Sequence, residues 1–175
     1  MLNNTTAVPS GLATGTWLVD SRAGHVNFRV KTMWGLADVN GRFDQFEGTL
    51  EIKDTGATGE LIVHTDSLDT KNAKRDEHLR SADFFDSKSH PRVTFIATGA
   101  RAAPGGAMIS GELTVGKHTT RLEVPVVIEP AGGDEVTVRA STVIPRKDVG
   151  LTWNKMGMIK SDPRLDIELR LIAGA

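Results

Sequence analysis

Hydrophobic and polar residues alternate with a period of two along most of this chain. In residues 25–31, Val26, Phe28 and Val30 fall on one side, with Asn27, Arg29 and Lys31 on the other. Strict alternation is the mark of a strand with one buried and one wet face. The pattern recurs in residues 59–68 (Leu61, Val63, Thr65), 92–98 (Val93, Phe95, Ala97), 119–129 (Leu122, Val124, Val126, Ile128) and 135–144 (Val136, Val138, Ala140, Thr142). It is clearest in residues 164–172, where Leu165, Ile167, Leu169 and Leu171 oppose Arg164, Asp166, Glu168 and Arg170. Residues 41–54 carry Phe43, Phe46, Leu50 and Ile52. The step from Phe43 to Phe46 breaks the period and predicts a bulge or bend. About eight strands at short, regular spacing predict an all-β antiparallel fold. Alternation alone fits a closed barrel or two packed sheets equally.

One segment departs from this rhythm. Residues 67–95, SLDTKNAKRDEHLRSADFFDSKSHPRVTF, join two strands through a charged insert that ends in Phe84 and Phe85. Connections in compact domains are mostly short, and long ordered ones are often binding loops or lids. Within the insert, residues 71–82 are the best helical candidate, with Asp69 or Thr70 as its cap.

Composition narrows the function classes. The 175 residues include 39% hydrophobic and 25% charged residues, in the range of globular proteins. They form one expected domain over residues 16–175, after a polar leader at 1–15. A formal net charge of -1 gives no sign of a nucleic-acid partner. With no cysteine, disulfides, zinc thiolates and Cys nucleophiles are excluded. No apolar run is long enough for a transmembrane helix. The start, MLNNTTAVPSGLATG, has neither a basic nor an apolar signal region, so a cytoplasmic location is expected, with a periplasmic or secreted one if this start is truncated.

The insert and its surroundings resemble the YceI-like family. Ser67, Asp69, Thr70, Arg75, Asp76, His78, Leu79, Ser81, Asp83, Phe84, Phe85, Asp86, Pro91 and Phe95 match its signature without a gap. Trp17, Asp20, His25, Val26, Phe28 and Val30 look like its opening strand pair. Residues 41–48 are similar to its G-R-F-x-x-F-x-G strand, residues 111–115 to its G-D-L-T-I strand, and residues 146–151 to its R-x-D-F-G-I turn. The chain departs from the family at Met33 and Trp34, at Val149 and at residues 115–118. The resemblance implies an eight-stranded antiparallel lipocalin-like barrel with one short helix in the long connection. It further implies non-enzymatic binding, transport or storage of a long amphiphile, a polyisoprenoid or isoprenoid quinone, with no other cofactor. A homodimer is an expectation from the resemblance alone.

On this reading the ligand meets a tunnel wall and rim of Val26, Phe28, Val30, Met33, Trp34, Phe43, Phe46, Val63, Phe84, Phe85, Phe95, Leu113, Trp153, Met156 and Met158. Methionine suits a surface that adapts to its ligand. His25, Arg42, Arg80 and Lys155 are the head-group candidates. Residues 75–78 read as a charged helix surface, since Asp76 and His78, two apart, do not share a helical face. The five histidines are scattered and no metal site is expected. No nucleophile elbow occurs. Two other readings remain: an enzyme acting on a lipid-like substrate in the same cavity, and a stress-response interaction module with a filled core.

Overall fold

A computed structural model describes residues 12–32, 37–154 and 157–174. Its strands are β1 (Gly15–Val19), β2 (His25–Thr32), β3 (Ala37–Phe43), β4 (Phe46–Lys53), β5 (Gly56–His64), β6 (Leu68–Asp69), β7 (Arg92–Ala103), β8 (Gly106–Val115), β9 (His118–Gly132), β10 (Glu135–Val143) and β11 (Arg164–Ala173). One helix, α1 (Ala73–Arg80), lies between β6 and β7.

All pairings are antiparallel, and the order β1-β4-β5-β7-β8-β9-β10-β11 closes on itself through β1 and β11. The result is an eight-stranded closed barrel. Two of its staves are each built from two strands. β1 and β2 run end to end along β11, β1 beside residues 171–173 and β2 beside residues 164–168. At the break, Gly24 has φ +83 and sits against β11, where an added Cβ would lie 2.1 Å from the Glu168 carbonyl oxygen. Only glycine combines that backbone conformation with so close an approach. β3 and β4 form the second composite stave. It bends at Asp44 and Gln45, where the broken alternation between Phe43 and Phe46 predicts a bend. There the Asp44 N–H donates to the Ser67 carbonyl (3.2 Å) and the Gln45 carbonyl accepts from the His64 N–H (3.0 Å). The two-residue β6 pairs with the edge of β3.

Register carries the sequence alternation into three dimensions. Val136, Val138, Ala140 and Thr142 of β10 pair with Leu171, Leu169, Ile167 and Leu165 of β11, all facing inward. The intervening pairs are polar, and Arg139 bridges Glu129 and Glu168 across three strands of the outer wall. Apolar inside and charged outside is the reverse of a membrane barrel, whose lipid-facing band is apolar.

The packed core lines the ends and walls. Leu12, Trp17, Ile52, Ala57, Ala100, Val136 and Leu171 fill the end bearing the tight β4–β5, β7–β8 and β9–β10 turns. Leu12 belongs to the span expected as a leader, yet it is only 8% exposed, and the Trp17 indole N–H donates to the Ala13 carbonyl (2.9 Å). The opposite end carries α1, the 144–163 connection and two further clusters, one around Val26, Phe43 and Leu68 and one around Leu113, Ile144 and Val149. Phe85 packs against both.

The helix is shorter than the expected 71–82, and its cap differs. Asn72 caps it, accepting from the Arg75 N–H (3.0 Å). Asp69 instead takes the Lys71 N–H (2.8 Å) and closes a turn before the helix. Thr70 is occupied by Asp76, whose carboxylate accepts from both its N–H (2.9 Å) and its hydroxyl (2.5 Å).

Candidate functional site

Inward positions on every stave surround one cavity of about 560 Å³. Protein interiors normally pack to a density near that of organic crystals, so a void this large is a built space. It falls in the size range of small-molecule sites. The wall is hollow because much of it is small. Gly59 and its register partner Ala97, and Ala140 on β10, line it among valines and Thr142. At interior density the space holds on the order of 20 carbon atoms.

Most residues expected on the wall stand there. Val26, Phe28, Val30, Phe43, Val63, Phe84, Phe85, Phe95, Leu113, Trp153 and Met158 border the cavity. Phe46 does not; it is buried beside Val63 in the wall. Met33, Trp34, Lys155 and Met156 lie outside the described residues.

Two elements shape the helix end of the cavity. The first is α1, which turns Arg75, His78 and Leu79 toward it. These positions are three and four apart and share one helical face. Arg75 is held by Thr70: its Nε donates to the threonine hydroxyl (2.9 Å) and its Nη2 to the carbonyl (2.8 Å). The His78 ring meets the Trp153 ring edge-on at 4.7 Å and Phe84 at 5.2 Å, and its Nε2 lies 2.9 Å from Asp83. Phe84 and Trp153 are 5.1 Å apart, completing an aromatic trio. Such pairs add a little energy beyond area burial and fix ring orientation.

The second element is the 144–163 connection. It starts with a short 3-10 turn, Arg146–Val149, ended by Gly150 at φ +74. Val149 is 2% exposed and anchors the turn. The Arg146 N–H donates to Asp162 (3.1 Å) and Nη1 to the Leu151 carbonyl (3.4 Å). Further on, the Asn154 side chain exchanges two hydrogen bonds with the Ile159 backbone. Ile159 bridges to Thr32, and the Lys160 N–H donates to the Lys31 carbonyl (2.8 Å). The connection is thus fastened to the end of β2, with Met158 43% exposed beside the opening.

The head-group candidates are placed elsewhere. His25 is exposed and pairs in register with Glu168 on the outer face. Arg42 forms ion pairs with Asp44 (2.8 Å) and Asp69 (3.7 Å). Arg80 donates to the Leu68 carbonyl (2.7 Å) and ties the helix to the barrel. None of the three borders the cavity. Arg75, His78 and Arg146 do. Arg75 and His78 were expected on a charged surface; what overrides that reading is the seating of α1 over the barrel end. Among the described residues, no three metal-ligating side chains converge. The arrangement is a greasy tube with a cationic, aromatic end, suited to an amphiphile.

Comparison with known proteins agrees with this architecture. A UPF0312 protein of Pseudomonas aeruginosa is 29% identical over 143 residues, spanning 76% of this chain and 74% of that protein. Among solved structures, BcnA of Burkholderia cenocepacia superposes with a TM-score of 0.77 at 19% identity, covering 87% of this chain and 98% of that one. A domain from Saccharophagus degradans, described as polyisoprenoid binding and implicated in plant cell wall breakdown, gives 0.74 at 15% identity, with 90% and 98% covered. The model of the YceI-like domain matches residues 17–171, nearly the whole barrel. The closed barrel, the helical insert over its end and that match make this chain a member of the YceI-like family.

Proposed function

We propose that this protein binds a long-chain amphiphile, of polyisoprenoid or isoprenoid-quinone type, with the tail along the barrel axis and the head at the helix end. It carries or stores the lipid and does not transform it. The observation that carries the reading is the 560 Å³ cavity with an almost wholly apolar wall. An apolar chain entering it leaves water. At ~25 cal/mol per Å², about 400 Å² of buried chain gives on the order of 10 kcal/mol before association and ordering costs. That driving force is non-directional, so cavity length selects chain length and the helix end selects the head. The description of the Saccharophagus degradans domain as polyisoprenoid binding supports the same ligand class.

The test is native mass spectrometry of protein purified without detergent, followed by titration with isoprenoid quinones of graded tail length. The expected result is a co-purified lipid, or saturable one-to-one binding that strengthens with tail length until the cavity is filled. A protein that emerges empty and binds no member of the series refutes the proposal.

A further inference from the structure

We propose that the helix end of the cavity selects an oxyanion head group, a carboxylate or a phosphate, through Arg75 and Arg146. The inference rests on the cavity being the lipid site. It starts from an imbalance of charge. Both residues line an apolar cavity. Among the described residues the Arg75 side chain forms no ion pair; its two hydrogen bonds go to the neutral oxygens of Thr70. The carboxylate beside it in sequence, Asp76, makes no direct ion pair with it and accepts instead from the Thr70 N–H and from the same hydroxyl that takes Arg75 Nε. Arg146 has one ion-pair partner, a long one: Asp162 lies 3.7 Å from its Nε, beyond hydrogen-bond reach, and is itself half in solvent. That Nε is buried and has no hydrogen-bond partner. The Arg146 side chain is only 16% exposed.

Charge next to an apolar space is costly unless it is paired. The other titratable groups nearby do not supply the pairing. Asp83 faces His78. Glu60, among the described residues the one acidic residue touching the cavity, is exposed on β5 and sits in the outward register opposite Ile96. What this end of the cavity holds is therefore mostly donors: the guanidinium N–H groups that Thr70 and Leu151 leave unused. Guanidinium forks match the paired oxygens of a carboxylate or phosphate, and charge-assisted hydrogen bonds of this kind are the strong ones. A cationic head would meet two like charges, and the carboxylates nearby are already engaged by Arg146, His78 and Thr70. A hydroxyl or carbonyl head would be accepted but would leave the charge unbalanced.

A tail-matched series separates head from tail. Hexadecanoate, hexadecyl phosphate, hexadecanol and hexadecylamine are titrated calorimetrically below their aggregation limits. The expected order places both anions at least about tenfold tighter than the alcohol, and the amine weakest. The relative strength of the two anions tells a carboxylate site from a phosphate site. In Arg146→Gln, and separately in Arg75→Gln, the advantage of the anions over the alcohol falls severalfold. Because the Thr70 contacts make Arg75→Gln the riskier variant for folding, Arg146→Gln carries the result if that variant melts early. The outer-wall control Arg121→Gln, which removes only a contact to Glu112, leaves the order intact. Equal affinity across all four heads overturns this inference and spares the lipid reading. Absence of binding by any of them overturns both.

Discussion

Filling the cavity from within tests whether it is truly hollow. Ala140 sits in the middle of β10, inward, opposite Ile167 on one side and Val126 on the other, and it borders the cavity. Ala140→Phe pushes a six-carbon ring into the space. In a hollow barrel the ring finds room and buries apolar surface that the alanine left bare, so stability holds or rises, by at most about 2 kcal/mol. The ligand loses what the ring takes. Six displaced carbons at about 0.8 kcal/mol each, less some rearrangement of the tail, come to on the order of 4 kcal/mol, near a thousandfold in Kd. A tail half as long avoids the ring and binds within about threefold of its affinity for the unmodified protein. The assay is calorimetric titration with a long and a short homologue, alongside thermal melts of the free protein. Two results refute the reasoning. One is unchanged affinity for the long tail. The other is a loss of 1–3 kcal/mol in stability, the ordinary outcome when a methylene-rich group is forced into a packed core.

Three further outcomes follow from local structure. Gly150→Ala places a Cβ 2.3 Å from the His118 ring at φ +74; melts are expected to show a loss of about 1–3 kcal/mol, with weaker ligand binding because the turn that carries Arg146 shifts. Asn72→Ala removes the helix cap and costs about 1 kcal/mol, read as a lower urea midpoint and faster hydrogen exchange confined to α1. The carboxyls of Asp20 and Asp69 are held below the usual carboxylate range, first by the backbone N–H groups of Arg22 and Lys71 and then by those residues' side chains. A depressed folded value stabilises the protein above the unfolded value, about pH 4, and that contribution disappears as pH falls through the folded value. Carboxyl NMR titrations with midpoints at or above the unfolded value contradict this assignment.

Much of the barrel was legible because its inside and outside differ at every second residue. The pairing of residues 164–173 with 135–143 follows directly from facing apolar sets. Even the bend between Phe43 and Phe46 announced itself as a missed beat. The same rule excludes two of the head-group candidates: His25 precedes the inward Val26 and Arg42 precedes the inward Phe43, so both point out. The helix end was harder. Arg75, His78 and Leu79 share a helical face, and the apolar Leu79 on that face is the signal that it is covered. Reading only Asp76 against His78 hides it. Arg146 opens a recognisable turn motif, but nothing local put it at the cavity, since its position depends on Asp162 and on the fastening of residues 159–161 to β2. Alternation assigns faces; it does not report which polar residue a distant loop will lay across an opening.

The cavity also has to be reconciled with stability, because an empty interior forgoes packing. The barrel meets this by distributing its core around the space. One end is filled by Trp17, Ile52, Ala57 and their neighbours, and the walls near the helix are thickened by Phe43, Leu68 and Phe85. Closure through β1 and β11 joins the first and last of the main staves into a ring. The open centre is then bounded by strands whose hydrogen bonds run around it, not by side chains that meet across it. On the proposed function, the ligand completes the core. Saturation with a bound lipid should therefore raise the melting temperature in proportion to the logarithm of its free concentration. A lipid that binds without shifting the melt would place its tail somewhere other than the barrel interior.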